Sequence, residues 1–474
     1  MNHRAGLDRS QTLLFPERLE DYIAAENPVR FLDAFVASLD LHALGFAKAR
    51  CAATGSPPYD PAALLKLYLY GYLHRVRSSR MLEAECHRNV EVLWLLGKLA
   101  PDHKTIADFR KDNLKPLRAV GRQFTLLCRK LELFGGELLA IDGSKFAAVN
   151  ARDQNFNAAK LQDLIARADA RLAEYLQALD TADATEPAGP VPSRSELAAK
   201  IAALREKQDW HKELLAQLDE DEKQVSVTDP DTRKMPTAQG TIVGYNAQTA
   251  VDAKHKLIAA DDVTNEVTDY QQLANVALTA KANLELQQAD VVADAGYYNA
   301  AEVSQCVEHG LTPYLPKADT SANTARGLYG KRRFRYDETK DEYVCPAGAA
   351  LTHRFNTYEL GRELRYYRAT GCQQCALKKH CTRNQANRTI TREAHEHLME
   401  AMAARMAAQP WKFKLRKALA EHPFGTIKRW FGYTHFLLKG LAKVRCEWSL
   451  TTLAYNLKRV LNLVSFAKLM AAVG

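Results

Sequence analysis

Apolar residues recur at helical spacing through the first part of the chain. The runs Ala62-Ala63-Leu64-Leu65-Lys66-Leu67-Tyr68-Leu69-Tyr70 and Val90-Glu91-Val92-Leu93-Trp94-Leu95-Leu96 are the clearest, and residues 1 to about 130 read as helical. Asp60 stands where an N-cap is needed, with Pro61 at the first helical position. The pattern then changes to strands. Leu138-Leu139-Ala140-Ile141 is a short apolar run ending in Asp142, and Ile242 to Val251 forms a second. A turn at Asp252-Ala253-Lys254-His255 leads into Lys256-Leu257-Ile258-Ala259-Ala260, and Ala289 to Asp294 and Leu311 to Leu315 follow. A helix from about Tyr270 to Leu286 separates the third strand from the fourth, so an α/β sheet with helices packed on it is expected.

Two interruptions break the strand pattern. In the first, Leu161, Ile165, Ala168, Leu172, Tyr175 and Leu179 step by four and three, which is a heptad seam. Leu197, Ile201, Leu204, His211, Leu215 and Leu218 repeat it less cleanly, with Gln208 at one seam position, and Ser193 with Glu196 makes a capping box. An antiparallel helical hairpin is expected, as a spacer or an arm for DNA or a partner. The second interruption holds four cysteines: 26 residues separate Cys345 from Cys372-Gln373-Gln374-Cys375, and five separate Cys375 from Cys381. Thiolates so spaced suit a structural tetrahedral zinc, with His380 as an alternate fourth ligand and an iron–sulfur cluster as the lesser option. The other five, Cys51, Cys86, Cys128, Cys306 and Cys446, are isolated and expected to be buried.

The chain has 474 residues, 47% of them hydrophobic, enough for more than one core. No apolar stretch approaches the roughly 20 residues a membrane helix needs, and Met1-Asn2-His3-Arg4 does not open a secretion signal, so no membrane association and a cytoplasmic location are expected. The net charge is +9, but it is uneven: residues 401–474 carry thirteen lysines and arginines against Glu421 and Glu447. Such a surplus suits a polyanion, and nucleic acid is the commonest. The basic turn holding Arg75, Arg77 and Arg80 sits between short helices, as in helix-turn-helix DNA binding.

Asp142 and Asp294 each end an apolar strand, where a carboxylate loses hydration that a metal or cation can restore. Two carboxylates on neighbouring strands could share a pair of magnesium ions, which take oxygen ligands and keep open positions for phosphate. The chain offers no Walker loop, no Gly-x-Ser-x-Gly elbow and no His-Glu-x-x-His motif.

Ala140-Ile141-Asp142-Gly143-Ser144-Lys145, Val243-Gly244-Tyr245-Asn246-Ala247-Gln248, Ala293-Asp294-Ala295-Gly296-Tyr297 and Glu421-His422-Pro423-Phe424-Gly425-Thr426-Ile427-Lys428 together resemble insertion-sequence transposases of the Asp-Asp-Glu class. The likeness spans almost the whole chain, and a four-cysteine insertion before the third acid occurs in one branch of the family. It implies an RNase H-like core with a mixed five-stranded sheet, in which Asp142, Asp294 and Glu421 hold two Mg²⁺ ions, replaceable by Mn²⁺. The implied layout is a helical N-terminal DNA-binding domain over 1–130 and the first part of the core over 131–157. The hairpin takes 158–224, the second part of the core 225–325, the zinc-binding insertion 326–390, and a basic helical part bearing the glutamate 391–474.

The family often shows Tyr, then Arg, upstream of the Glu and Lys seven positions after it. Lys428 fills the last place, Phe413 stands where the Tyr would be, and Arg416 or Lys417 supplies the cation. Lys428 and Arg429 are placed to meet a phosphate backbone, and Tyr245, Asn246 and Gln248 either contact DNA or pack in the sheet. Trp430 and Phe431 stack on an unpaired base or belong to the core. Glu447 is the alternative third acid, though a glutamate in so basic a segment is more often a structural ion pair. The implied activity is metal-dependent cleavage at the element's terminal inverted repeats and joining of the freed 3′-hydroxyl to target DNA, by a homodimer on double-stranded DNA at the nucleoid, with no small-molecule substrate. A catalytically silent zinc-dependent DNA-binding protein and a non-joining RNase H-like nuclease are the alternatives.

Overall fold

Asp60 starts its helix as its neighbours require: its carboxylate accepts from the N–H of Ala62, and Pro61, which lacks an N–H, takes the first turn. Asn27, Asn89 and Asp102 cap three more helices in the same way. The computed structural model describes residues 18–51, 57–150, 154–184, 194–218, 224–317, 322–359 and 362–474. At the front are α1 (Pro28–Ala37), α2 (Pro61–Leu73), α3 (Ser79–Arg88), α4 (Val90–Leu95), α5 (His103–Asp112) and α6 (Leu114–Lys130). Their apolar faces do not close on themselves. Phe31, Phe35, Tyr68, Tyr72 and Phe124 share one core with Phe146, Tyr245, Phe431 and Trp448 from much later in the chain.

The central sheet follows. Its strands and neighbours are β1 (Leu138–Ala147), β2 (Asn155–Phe156), α7 (Ala158–Ala184), α8 (Arg194–Ala216), β3 (Val225–Ser226), β4 (Arg233–Thr237), β5 (Gly240–Asp252), β6 (Ile258–Thr264), α9 (Leu273–Leu284), β7 (Ala289–Val292), α10 (Ala300–Glu308) and β8 (Leu311–Tyr314). The order is β4-β5-β1-β7-β8, with β6 also on β5. β1 runs antiparallel to β5 and parallel to β7, and β7 parallel to β8. The sheet thus has six strands where five were expected. The sixth, β4, reads Arg-Lys-Met-Pro-Thr with only Met235 buried, and a proline in a polar edge strand leaves no apolar alternation to see. Asp142 does not end its strand either: β1 continues to Ala147 because β5 accompanies it, from Asp142 opposite Thr249 to Ala147 opposite Gly244.

The expected hairpin is α7 against α8. Leu161, near the start of α7, packs with Leu214, near the end of α8, which makes the pair antiparallel. Ala168, Leu172, Leu197 and Ile201 are buried along the seam, and Gln208, also buried, donates to Asp169. Ser193 lies outside the described residues.

After α11 (Ala322–Ala325), the cysteine-bearing insertion is a five-stranded antiparallel sheet of β9 (Arg335–Asp337), β10 (Glu342–Val344), β11 (Ala350–Glu359), β12 (Arg362–Ala369) and β13 (Thr389–Glu393), ordered β13-β12-β11-β10-β9, with the short α12 (Lys378–Cys381) before β13. Phe334, Tyr343, Leu351, Tyr367 and Ile390 form its core.

The chain ends with α13 (Glu396–Ala408), α14 (Pro410–Gly425), a π-helical turn Thr426–Trp430, α15 (Leu441–Leu463) and α16 (Phe466–Val473). Helix α15 is bound to the sheet by side chains that reach its backbone. Asn456 accepts from Ile258 N at 2.9 Å and donates to Ile258 O at 2.8 Å, and Trp448 Nε1 donates to Gln248 O at 3.3 Å. Among the described residues no helix is long and apolar enough to cross a membrane.

Candidate active site

Alternation along β1 decides what Asp142 faces. Leu139 and Ile141 pack with α9 and α10, whereas Leu138 and Ala140 pack with Leu419 and Ala420 of α14. Asp142 continues the second face by the two-residue repeat. Its parallel neighbour β7 stops at Val292, opposite Ala140, so Asp142 emerges just beyond that strand's end. Asp294 comes two residues after β7, where its carboxylate accepts from Gly296 N at 2.8 Å and caps the turn Ala295–Tyr297. The guanidinium of Arg416, on α14, stands 3.6 Å from Asp142 Oδ1. Burial pushes the Asp142 carboxyl up to about 7; Arg416 and the Gly143 N–H pull the other way, while the charges of Asp294 and Asp269 add to the rise.

Glu421 is exposed on α14, and at about 100° per residue it lies about 140° around the helix from Arg416. The face of α14 that meets β1 therefore presents Arg416 to Asp142. Lys428 reaches the same strand from the π-helical turn, donating to Ser144 Oγ at 2.7 Å and Lys145 O at 3.0 Å, and its burial lowers the ammonium pKa. Lys417 and Arg429 are exposed.

Glu447 is fully buried and spent: it accepts from Leu437 N and Leu438 N and pairs with Arg77 at 3.1 Å. It is a structural ion pair. Its partner Arg77, expected to face DNA with Arg75 and Arg80, is instead buried. The Arg77 guanidinium is inside the protein, on Glu447 and His435 O and 4.0 Å over the Tyr433 ring. Of that turn, Arg75 and Arg80 stay exposed, and Arg75 lies 4.3 Å over the ring of Trp430. Trp430 is itself exposed, while Phe431 is buried.

Cys345, Cys372, Cys375 and Cys381 line one small pocket at the end of the insertion's sheet. Burial raises the Cys381 thiol, Arg388 opposes it, and the other three thiols add to the rise. Backbone N–H groups point at two of the sulfurs, Ala349 N to Cys345 at 3.3 Å and Arg388 N to Cys372 at 3.5 Å. His380 is exposed. Cys51, expected to be buried, is exposed; Cys86, Cys128, Cys306 and Cys446 are buried. Among the described residues, no group of three or more His, Cys, Asp or Glu side chains stands arranged to hold a metal ion. By residue type alone, carboxylates such as Asp142 and Asp294 are ligands for a hard divalent cation, and thiols are ligands for zinc.

One residue of the site has no sequence signature. Asp269 Oδ1 accepts from Asn246 Nδ2 and Gln248 Nε2, each at 2.7 Å, and Lys145 Nζ lies 3.6 Å away. The usable signal was on β5: polar Asn246 and Gln248, two residues apart and fully buried, call for an inward partner.

Residues 344–461 match the family model described as a transposase DDE domain, and residues 17–112 match a transposase domain, DUF772. Over these two segments the chain is similar to transposases of the DDE class. Glu421 lies within the first match, whereas Asp142 and Asp294 precede it. No curated protein matches the chain. A structural neighbour is the cryo-EM structure of a piggyBac transposase synaptic complex with hairpin DNA, at 9% identity and a TM-score of 0.31, covering 94% of this chain and 79% of that one.

Proposed function

We propose that the chain is a DNA transposase that binds the terminal inverted repeats of its element and performs divalent-metal-dependent cleavage and strand transfer, with Asp142, Asp294 and Glu421 as ligands of the ion pair in an RNase H-like core. The observation that carries the reading is the placement of Asp142 and Asp294 where the parallel pair β1 and β7 ends, with a cation, Arg416, already against Asp142. Bound Mg²⁺ would lower the pKa of the attacking hydroxyl and offset charge at phosphorus.

The chain's own residues do the rest. Arg416 neutralises Asp142 when no metal is bound, and Lys417, Lys428 and Arg429 give α14 and the turn after it a row of cations for the phosphate backbone. Arg75 and Arg80 extend that role to the helical front, while the four cysteines hold a structural zinc that fixes the insertion. The active form is a dimer on double-stranded DNA in the cytoplasm, since two element ends must be brought together. Glu421 joins the aspartates by a turn of α14, made easier by Pro423 inside the helix and the π-helical turn after it.

Strand cleavage of a labelled element end tests the proposal. Asp142→Ala and Glu421→Gln abolish cleavage and joining while end binding persists; cleavage at the wild-type rate by either variant would refute the assignment of that acid.

A further inference from the structure

The polar cluster around Asp269 lies behind the site, touching the backbone beside Asp142 and the turn after Asp294. We propose that Asp269 is a positioning residue which, through Gln248 and Tyr297, fixes where Asp294 stands relative to Asp142. This rests on the reading of those two aspartates as cation ligands.

Gln248 and Asn246 lie two apart on β5 and are fully buried on one face. Asp269 Oδ1 takes an amide N–H from each, at 2.7 Å. An amide whose nitrogen is engaged by a carboxylate has its carbonyl turned the opposite way. In Gln248 that carbonyl oxygen accepts from the hydroxyl of Tyr297. Tyr297 is fully buried and ends the turn that Asp294 caps, so the relay Asp269–Gln248–Tyr297 ties this turn to β5.

Gly143 brings Asp142 into the same clamp. It pairs with Gln248 across the strands, and a Cβ at Gly143 would come 2.6 Å from Asp269 Oδ1 and 3.0 Å from Asn246 Oδ1. A Cβ at Gly296 would lie 3.0 Å from Asp294 Oδ1 and 3.8 Å from Asp269 Oδ2. The backbone next to Asp142 and the turn after Asp294 are therefore packed against one carboxylate and its two amides. Asn246 Oδ1 is buried with no partner, an orphan tolerated because flipping that amide would set its oxygen against Asp269. Magnesium and manganese demand near-octahedral placement of their ligands, so slack in this clamp translates into weaker ion binding even though none of the three relay residues need touch the ion.

The test is Mn²⁺ titration of the metal-free, DNA-free full chain, followed by the electron paramagnetic resonance of the free ion. Tyr297→Phe removes one oxygen and Asp269→Asn one charge. Each is expected to weaken Mn²⁺ binding about tenfold while melting in EDTA stays within a few degrees of wild type. The double variant is expected to be no weaker than Asp269→Asn alone, since the two act as one relay. Mn²⁺ affinity within twofold of wild type in folded Tyr297→Phe overturns the proposal, and so does full additivity in the double variant. If wild type and Asp142→Ala bind Mn²⁺ alike, the cation site itself is refuted and the positioning role with it; if only Asp142→Ala loses the ion, the site stands and the relay is wrong.

Discussion

Asp142 is held in a place where its charge is costly. Its folded pKa, about 7, lies above the 3.8 of a free aspartate, so in metal-free protein its contribution to stability is fully present below about pH 4 and is lost as pH rises through 7. The neutral variant Asp142→Asn does not carry this dependence. In EDTA, the stability of wild type relative to Asp142→Asn is expected to fall by about 1.4 kcal/mol per pH unit from pH 5 to 7 and then level off. Urea midpoints across that range measure it, and parallel curves for the two proteins would contradict it. The Glu447–Arg77 pair behaves differently because each partner is buried against the other. Glu447→Ala orphans the arginine together with two backbone N–H groups, a loss of about 3–5 kcal/mol by denaturant unfolding. A loss below 1 kcal/mol would show that Arg77 finds solvent instead. At this scale the sequence makes Asp142 and Asp294 legible because each follows an apolar run. It hides Asp269, whose neighbours Val267, Thr268 and Tyr270 carry no pattern, and it cannot distinguish Arg77 from Arg75 and Arg80, since burial of one arginine in three depends on a glutamate 370 residues away.

Among the elements, periodicity revealed what is locally determined. The heptad seam of α7 and α8, the capped start of α2 and the apolar strands β5 and β7 are all written in a few consecutive residues. Helix α15 is not. The basic surplus of residues 401–474 suggests an exposed surface, yet α15 is a central helix: Arg445 and Arg459 are spent on the carbonyls of Val263 and His255, and Trp448 sits among Phe146, Phe424 and Phe436. Truncating Trp448 to Ala should cost about 3–5 kcal/mol in unfolding free energy, against less than 0.5 for a surface site of the same helix such as Lys443. Equal effects would contradict the packing described. The cysteine insertion has a core of its own, and its four thiols share one end of it. If they hold zinc, purified protein contains one zinc per chain, and Cys372→Ser releases it and loosens β11 to β13 in hydrogen exchange. Metal analysis showing no zinc in the wild type, or one zinc retained in the variant, would be decisive against that arrangement.

Front and tail of the molecule meet at one exposed ring. Arg75, from the turn after α2, lies 4.3 Å over Trp430, and Lys458 of α15 lies 5.2 Å from the same ring, with Arg429 immediately preceding Trp430 in the chain. Cations from three parts of the sequence are thus brought together only by folding, which is why counting charges along the chain located the basic tail but not the surface it builds. Lys428, bonded to β1 near Asp142, connects this surface to the aspartates. A duplex lying across it would give up counterions to each exposed cation it meets, and the logarithm of its binding constant would fall with the logarithm of salt concentration by about 0.9 per phosphate neutralised. Arg75→Ala and Arg429→Ala are therefore expected each to reduce the steepness of that dependence by about 0.9, and together by about 1.8, for element-end and unrelated duplexes alike, because phosphate contacts carry no sequence information. Lys468→Ala, an exposed cation on α16, serves as the comparison. Filter binding between 50 and 200 mM salt measures all three; over that range a slope change of about 0.9 alters the binding constant about 3.5-fold, and one of about 1.8 about twelvefold. Unchanged slopes in the Arg75 and Arg429 variants would place the DNA on another face of the protein, whereas loss of discrimination between end and unrelated duplex, with the slope intact, would mean that these arginines read base edges rather than phosphates.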